Sequence, residues 1–489
     1  MKKKQEKEEI ILKSGIEIHQ QLDTGKLFCR CPSILRQDKP DYEIERKLHI
    51  VAGESGEIDK AVRFEAGKER KFVYQGYYDN TCLVELDEEP PHLINEDALK
   101  IALQISLLLN CEIIQNSQIM RKTVIDGSNV SGFQRTVLVA RNGYVETAQG
   151  RVGIQSVMLE EDAARPAGQD ENTSVKTYKL DRLGIPLVEI ATMPDIKNPE
   201  QAKEAALHIG EILRACKVRR GLGTIRQDVN MSIKSVDGKT RESARIEIKG
   251  VQEPALIVKT LESEMKRQEK LTREGKSEAE VRKAEEDGST TFLRPLPGAA
   301  RMYPETDLPL LYISREMINE AKRELPRMRH EIKSELKKEG LSDEMINLIL
   351  QENKLSEYRE LLGVYNNPDL IAKMLVLWKK EIASHEKLAE KKVEEKLTLD
   401  VLESILNLIK TGKIDESHGK KIMVDIVKGK EINEALKIEK ISNLEDEILN
   451  IVKEKPGLNL NAYMGLVMAR FKGKVSGKEV AEILKKLVK

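Results

Sequence analysis

The chain has 489 residues, 40% hydrophobic and 34% charged, and its 82 Lys and Arg balance 82 Asp and Glu. That length exceeds one compact core and predicts about two to four domains, while the apolar share excludes a disordered chain and the charge excludes a membrane protein. Zero net charge removes any whole-chain electrostatic argument for nucleic acid, and five cysteines are too few for a disulfide framework in a chain of this size. No apolar run reaches the roughly eighteen residues of a membrane span. The opening "MKKKQEKEE" leads into no apolar segment with a cleavage site, so a cytoplasmic protein without a signal peptide is expected.

Over the first 190 residues, short β-branched runs such as "LVELDE", "QRTVLVA" and "RVGIQSVMLEED" alternate with glycine turns and predict antiparallel strands. Two helices interrupt them. "NEDALKIALQISLLLN" has Asn95 as N-cap, and "NPEQAKEAALHIGEILRAC" has Asn198 as N-cap, Pro199 at the first helical position and Gln201 in the capping-box place. His208 and Cys216, on or near the end of the second helix, read as packing residues. The runs "GLGTIRQDVNMSI" and "ARIEIKG" predict further strands, and a charged helix follows from about Pro254 to Glu274. Pro295, Pro297, Pro304 and Pro309 then predict an ordered loop, because proline fits neither a helix interior nor a central strand. Beyond residue 314, Leu and Ile at three- and four-residue spacing predict helices to the end, broken near Lys392 to Thr398 and at "EKPGLN". The expected class is α+β: an antiparallel sheet cradle over residues 1–314, a helical domain over 315–395 and a small helical tail over 396–489.

The common nucleotide signatures fail. There is no GxxxxGK[ST], "GLGTIR" lacks the third glycine of a dinucleotide fingerprint, and neither GxSxG nor HExxH occurs. Four other stretches carry chemistry. In "GIEIH", Glu17 and His19 are two apart and leave a strand on one face. Glu160, Glu161 and Asp162 end an apolar strand, and Glu189 interrupts the apolar run "IPLVEIA", where an unpaired carboxylate is costly. In "TIRQDVNMSI", alternation puts Arg226, Asp228 and Asn230 on one face. Carboxylates with one imidazole suit Mg²⁺ or Mn²⁺; the alternative is a core histidine with solvent-facing glutamates. Cys29, Cys31 and Cys82 form a set of three that Glu85 or His92 would have to complete, which argues against structural zinc. The last twenty residues carry seven Lys or Arg against two Glu, enough to attract a phosphate backbone if they are more than a solvated helix face.

Nine ordered blocks between about Gly15 and Leu310 resemble the archaeal E-type subunits of glutamyl-tRNA(Gln) amidotransferase, within the GatB/GatE family. They are "GIEIHQQLDTGKLFCRCPS", "VAGESGEID", "YQGYYDNTCLVELDEEPPH", "VIDGSNVSGFQRT", "LEEDAARP", "GIPLVEIAT", "GTIRQDVNMSI", "IEIKGVQE" and "RPLPGAARMYPETDLP". A looser likeness continues to "NAYMGLVMARFKGK". The related bacterial GatB-type proteins usually carry a second cysteine pair where this chain has "TCLVELDEE".

The resemblance implies an ATP-dependent ligase that phosphorylates the glutamyl carboxylate of misacylated Glu-tRNA(Gln) and then amidates it. It implies His19, Glu161 and Glu189 as metal ligands, with Glu17 and Glu160 as neighbours orienting the ion or a bound water. Arg226, Asp228, Asn230, Glu247 and Lys249 would face the nucleotide or the reacting glutamyl end, and Arg294, Arg301 and Tyr303 would cover the phosphates. No ammonia-producing motif is present, so the resemblance also implies an asparaginase-like partner of the D type in a heterotetramer, with tRNA(Gln) bound by the helical and tail domains. Family members normally carry an inserted domain between the long helix and the "RPLPG" loop; here residues 270–290 alone span that distance.

Overall fold

The computed structural model describes residues 9–489 except 50–51, 53–55, 59, 69, 169–173, 237–240, 297–301, 431, 436–442, 472–476 and 488–489. It divides into two compact units, Met1–Met328 and Arg329–Lys489. The first is mixed α/β and is built on a twelve-stranded sheet. The path across it runs Thr290–Pro295, Glu280–Ala284, Ile246–Lys249, Ile225–Val236, Glu9–Gln21, Pro186–Thr192, Gly150–Glu161, Phe133–Thr147, Ile119–Thr123 and Met302–Pro304.

Alternation along these strands gives the sheet two unlike faces. Ile16 and Ile18, Val188 and Ile190, Val157 and Leu159, Val137 and Val139, Val229 and Met231, and Ile246 and Ile248 share one buried core with the helices Glu96–Leu108, Pro199–Ala215 and Pro254–Glu274. At 0–1% exposure each, Ile16, Ile18, Val188 and Ile190 show that this side is fully covered, worth about 1.5–3 kcal/mol per side chain. The opposite face carries Glu17, His19, Glu189, Glu160 and Asp228. Register makes that follow: Glu17 pairs with Asp228, His19 with both Glu189 and Arg226, and Glu189 with Met158, two positions before Glu160.

Both helix starts match expectation. The side chains of Asn95 and Asn198 accept from the backbone N–H groups of Ala98 and Gln201. Gln201 reaches back to the N–H of Lys197, one residue before the cap. The charged helix spans Pro254–Glu274 and ends at Gly275 with φ 68°, the left-handed cap glycine favours.

Three expectations change. "LVELDE" is no strand: residues 83–87 are turns whose Glu85 folds back onto the cysteines. The sheet is not wholly antiparallel, because Glu280–Ala284 lies parallel to Ile246–Lys249, joined through the Pro254–Glu274 helix as a parallel connection requires. Part of the proline loop, Met302–Pro304, is an edge strand against Ile119–Thr123, the place a sheet tolerates proline.

A four-stranded sheet (Tyr42–Arg46, Lys71–Gly76, Val175–Lys179, Arg165–Pro166) forms a satellite with its own core around Tyr74, Tyr178 and Phe72. The helix Arg315–Arg323 packs on Glu96–Leu108, with Lys100 2.8 Å from Glu320 and 2.9 Å from Glu324, which carries the first unit past residue 314 to Met328.

The described elements of the second unit are all helical. One core runs from Leu336 to Ala435 and a separate small one from Leu444 to Leu484. Val393, Leu397 and Val401 are all buried in the larger core, so the packing is continuous across residue 395. No helix among the described residues is long and apolar enough to cross a membrane.

Candidate functional site

On the polar face, ligand atoms of Glu17, His19 and Glu189 lie within 4.8 Å of one another. His19 Nε2 is 3.2 Å from Glu189 Oε2, 3.7 Å from Glu17 Oε1 and 3.8 Å from Glu160 Oε2. Glu160 is fully buried and accepts from Lys122 Nζ at 2.5 Å, Thr136 Oγ1 at 2.8 Å and Gln134 Nε2 at 3.0 Å. Lys122 Nζ also lies 3.4 Å from Glu189 Oε2, the oxygen that faces His19. One imidazole and two carboxylates within reach of one another, with the Glu160 carboxylate beside the imidazole, form a donor set of the kind Mg²⁺ and Mn²⁺ take.

The electrostatics fit such a set. Burial, and then the neighbouring Glu189, push Glu17 up to about 7. Burial opposes charge on Glu189 too, but the Lys122 ammonium and His19 outweigh it and hold that carboxyl well below the usual range. For His19, burial is likewise outweighed, here by the hydrogen bond and charge of Glu189 together with Glu160 and Glu17, so its affinity for a proton rises.

Glu161 is placed elsewhere. As the neighbour of Glu160 in a strand it leaves the opposite face, where its carboxylate lies 3.4 Å from Arg135 Nη1. Burial pushes it up, and Arg135 only partly offsets this. Arg135 has a closer partner, Glu305 Oε2 at 2.8 Å, and Arg121 lies 2.5 Å from the other oxygen of Glu305. Tyr303 belongs to this second cluster: it meets Phe133 edge-on at 6.3 Å and lies beside Arg121. The sheet therefore separates Glu161 and Tyr303 from His19.

Along the next strands, Arg226 is 3.1 Å from Asp162, whose buried carboxylate also accepts from Gln21 at 2.7 Å. Lys249 Nζ bridges Asp228 at 2.9 Å and Glu247 at 2.8 Å, and the N–H of Gly250 donates to Asp228 at 3.1 Å. Gly250 has φ 81°, so the turn that aims this N–H would strain any residue with a side chain. Asn230 accepts from Arg245 at 2.9 Å, farther along the strand. Arg294 sits on the edge strand Thr290–Pro295, two strands beyond Ile246–Lys249. Arg301 lies outside the described residues.

Cys29, Cys31, Cys82 and Glu85 make a second group of donors within 4.8 Å of one another. Glu85 Oε1 accepts from Cys29 at 2.8 Å and is 3.2 Å from Lys26, a fully buried lysine. Hydrogen bonds from Cys29 and Cys31 hold the Cys82 thiol far below its ordinary value. Three sulfurs and a carboxylate are a four-ligand set that zinc accepts, and Glu85 supplies the fourth donor that the cysteines by themselves do not.

A profile of the GatB/GatE catalytic domain matches residues 12–319. The chain belongs to the GatB/GatE family. It is 38% identical to the E subunit of glutamyl-tRNA(Gln) amidotransferase from Methanocaldococcus jannaschii over 641 aligned positions, covering 99% of each chain. It is 35% identical to proteins of the same name from Archaeoglobus fulgidus and Thermococcus sibiricus, covering 98% of each chain in both cases. As a member of the GatB/GatE family it is an enzyme subunit of the C–N bond-forming amidotransferase class. An alignment of 641 positions against 489 residues means that the Methanocaldococcus relative holds sequence this GatB/GatE chain lacks, in keeping with the short 270–290 connection.

Sequence reasoning missed Lys122, Gln134 and Thr136, the three donors to Glu160. Alternation places Met120 and Lys122 on one face of the strand Ile119–Thr123, but only the pairing of Thr136 with both Met120 and Glu160 shows that it is the site face.

Proposed function

We propose that this chain is the kinase and transamidase component that converts misacylated Glu-tRNA(Gln) to Gln-tRNA(Gln). The observation that carries the reading is the convergence of His19, Glu189 and Glu17, with Glu160 beside them, on the open face of the sheet of a GatB/GatE member. A carboxylate is a poor electrophile because its leaving group would be oxide. The glutamyl carboxylate oxygen attacks the γ-phosphorus of ATP, the new O–P bond forms as the bond to ADP breaks, and no net proton moves. Ammonia then adds to the acyl phosphate carbon, phosphate leaves with the bonding electrons, and the nitrogen gives up a proton to yield the amide. A bound Mg²⁺ or Mn²⁺ would supply charge neutralisation at the phosphoryl group.

In this reading His19, Glu189 and Glu17 hold the ion, and Glu160 is kept in place by Thr136 and Gln134. Asp162 and Gln21 orient Arg226 toward the nucleotide or the reacting carboxylate, and Lys249, set between Asp228 and Glu247, limits the negative charge there. The ammonia would come from an asparaginase-like partner, assembled with this chain as a heterotetramer, and the helical unit would bind tRNA by shape and backbone. Part of the basic terminal segment, 472–476 and 488–489, lies outside the described residues.

The test is reconstitution. With the asparaginase-like partner, asparagine, ATP, Mg²⁺ and Glu-tRNA(Gln), Gln-tRNA is expected and should vanish when ATP is omitted; product formed without ATP would overturn the reading. Co-purification with an amidase in place of that partner would assign the chain to the bacterial-type branch.

The cysteine group yields a separate expectation. Stoichiometric zinc should appear on metal analysis, disappear in a Cys29→Ser/Cys31→Ser double variant, and its removal should lower the melting temperature because metal binding adds to folding free energy. Zinc-free protein with an unchanged melting temperature would leave the group a plain thiol cluster.

A further inference from the structure

Lys122 stands beside the residues proposed to hold the ion. Its ammonium touches Glu160 Oε1 at 2.5 Å and Glu189 Oε2 at 3.4 Å, and its side chain is only 12% exposed. His19 Nε2 approaches that same Glu189 oxygen at 3.2 Å, so the ammonium and any divalent ion held by Glu189 and His19 would compete for one carboxylate oxygen. A divalent ion held by Glu189 would carry its charge beside the ammonium, in a buried setting where like charges repel strongly. Glu160 is the anchor that remains. It is fully buried, its neutral donors Thr136 and Gln134 come from the adjacent strand, and a lysine ammonium has three N–H donors, of which Glu160 needs one.

We propose that Lys122 is a catalytic residue with two positions. Without the divalent ion its ammonium neutralises Glu189 and Glu160. When the ion takes Glu189, Lys122 stays on Glu160 and directs its other N–H groups at the phosphoryl oxygens that pass from ATP to the glutamyl carboxylate. This rests on the metal reading given above and assigns to it a residue that holds the phosphoryl group in transit. It also makes lysine a competitor of the metal, which no ordinary ligand would be.

The experiment uses the full chain with Lys122→Met, and with Lys122→Gln as a second neutral variant, each checked for a wild-type melting profile. Mn²⁺ binding is followed by electron paramagnetic resonance without nucleotide, and phosphorylation of Glu-tRNA(Gln) is followed in the complex with the asparaginase-like partner. Both variants are expected to bind Mn²⁺ about threefold or more tighter than wild type, since a competing cation is gone, and to phosphorylate about a hundredfold more slowly. Unchanged or weaker Mn²⁺ binding overturns the competition, and phosphorylation near the wild-type rate overturns the phosphoryl contact. A variant that melts early is replaced by the other neutral one, and failure of both to fold would assign Lys122 a structural role and also overturn the proposal. Equal Mn²⁺ binding by wild type and His19→Ala would instead sink the metal reading, and the Lys122 proposal with it.

Discussion

His19→Ala is expected to abolish ATP-dependent phosphorylation of Glu-tRNA(Gln), with a loss on the order of 10²–10³-fold, while tRNA binding stays near wild type. The imidazole reaches Glu189, Glu17 and Glu160 from one atom, Nε2, so its removal deletes the imidazole donor of the group and leaves three carboxyls crowded together. Two adjustments should follow. Glu17, pushed up to about 7 by burial and Glu189, is held down in part by His19, so the variant should keep a proton there to higher pH. Divalent-ion affinity should fall for both reasons. Full activity in His19→Ala, measured as acyl phosphate or as Gln-tRNA formed, would dispose of the ion-binding role.

The second large effect concerns stability. Arg135→Ala should cost about 3–5 kcal/mol, the usual penalty for stranding buried charge, and should be read as a lower denaturation midpoint. Arg135 is 5% exposed and faces two carboxylates, Glu305 at 0% and Glu161 at 9%, on the side of the sheet away from His19. Because Glu305 also ties residues 305–307 to Arg121, the same substitution should loosen the edge strand Met302–Pro304. Glu161→Gln is a sharper probe. If Glu161 belongs to this brace, the variant loses stability but still binds Mn²⁺ like wild type; if it is a metal ligand, Mn²⁺ affinity falls while the midpoint barely moves.

How much of this was legible in the chain depends on what kind of contact is involved. Helix starts are local: the N-caps at Asn95 and Asn198 and the left-handed cap at Gly275 rest on interactions a few residues apart, and reading them needs no tertiary information. The pair Glu17 and His19 was readable for the same reason, since a strand repeats every two residues. "LVELDE" misled because β-branched and leucine content marks a strand only if a neighbouring strand is there to pair, and instead Glu85 finds Lys26 and the cysteines. Where the first unit ends is not a local property, because lysine- and glutamate-rich helices look alike in sequence and the contacts of Lys100 with Glu320 and Glu324 bind one of them to that unit.

The acidic and histidine character of the candidate site and its place on strands were legible in sequence alone, as was the family through its ordered motifs. Which of two adjacent glutamates joins His19 was not, because strand alternation says only that Glu160 and Glu161 point opposite ways. That choice is made by register between strands far apart in the chain, His19 against Glu189 and Glu189 against Met158, and the same register brings in Lys122 from a strand whose own sequence carries no sign of it. Non-local hydrogen-bonded pairing, which local patterns do not encode, brought a list of polar residues together as a candidate site.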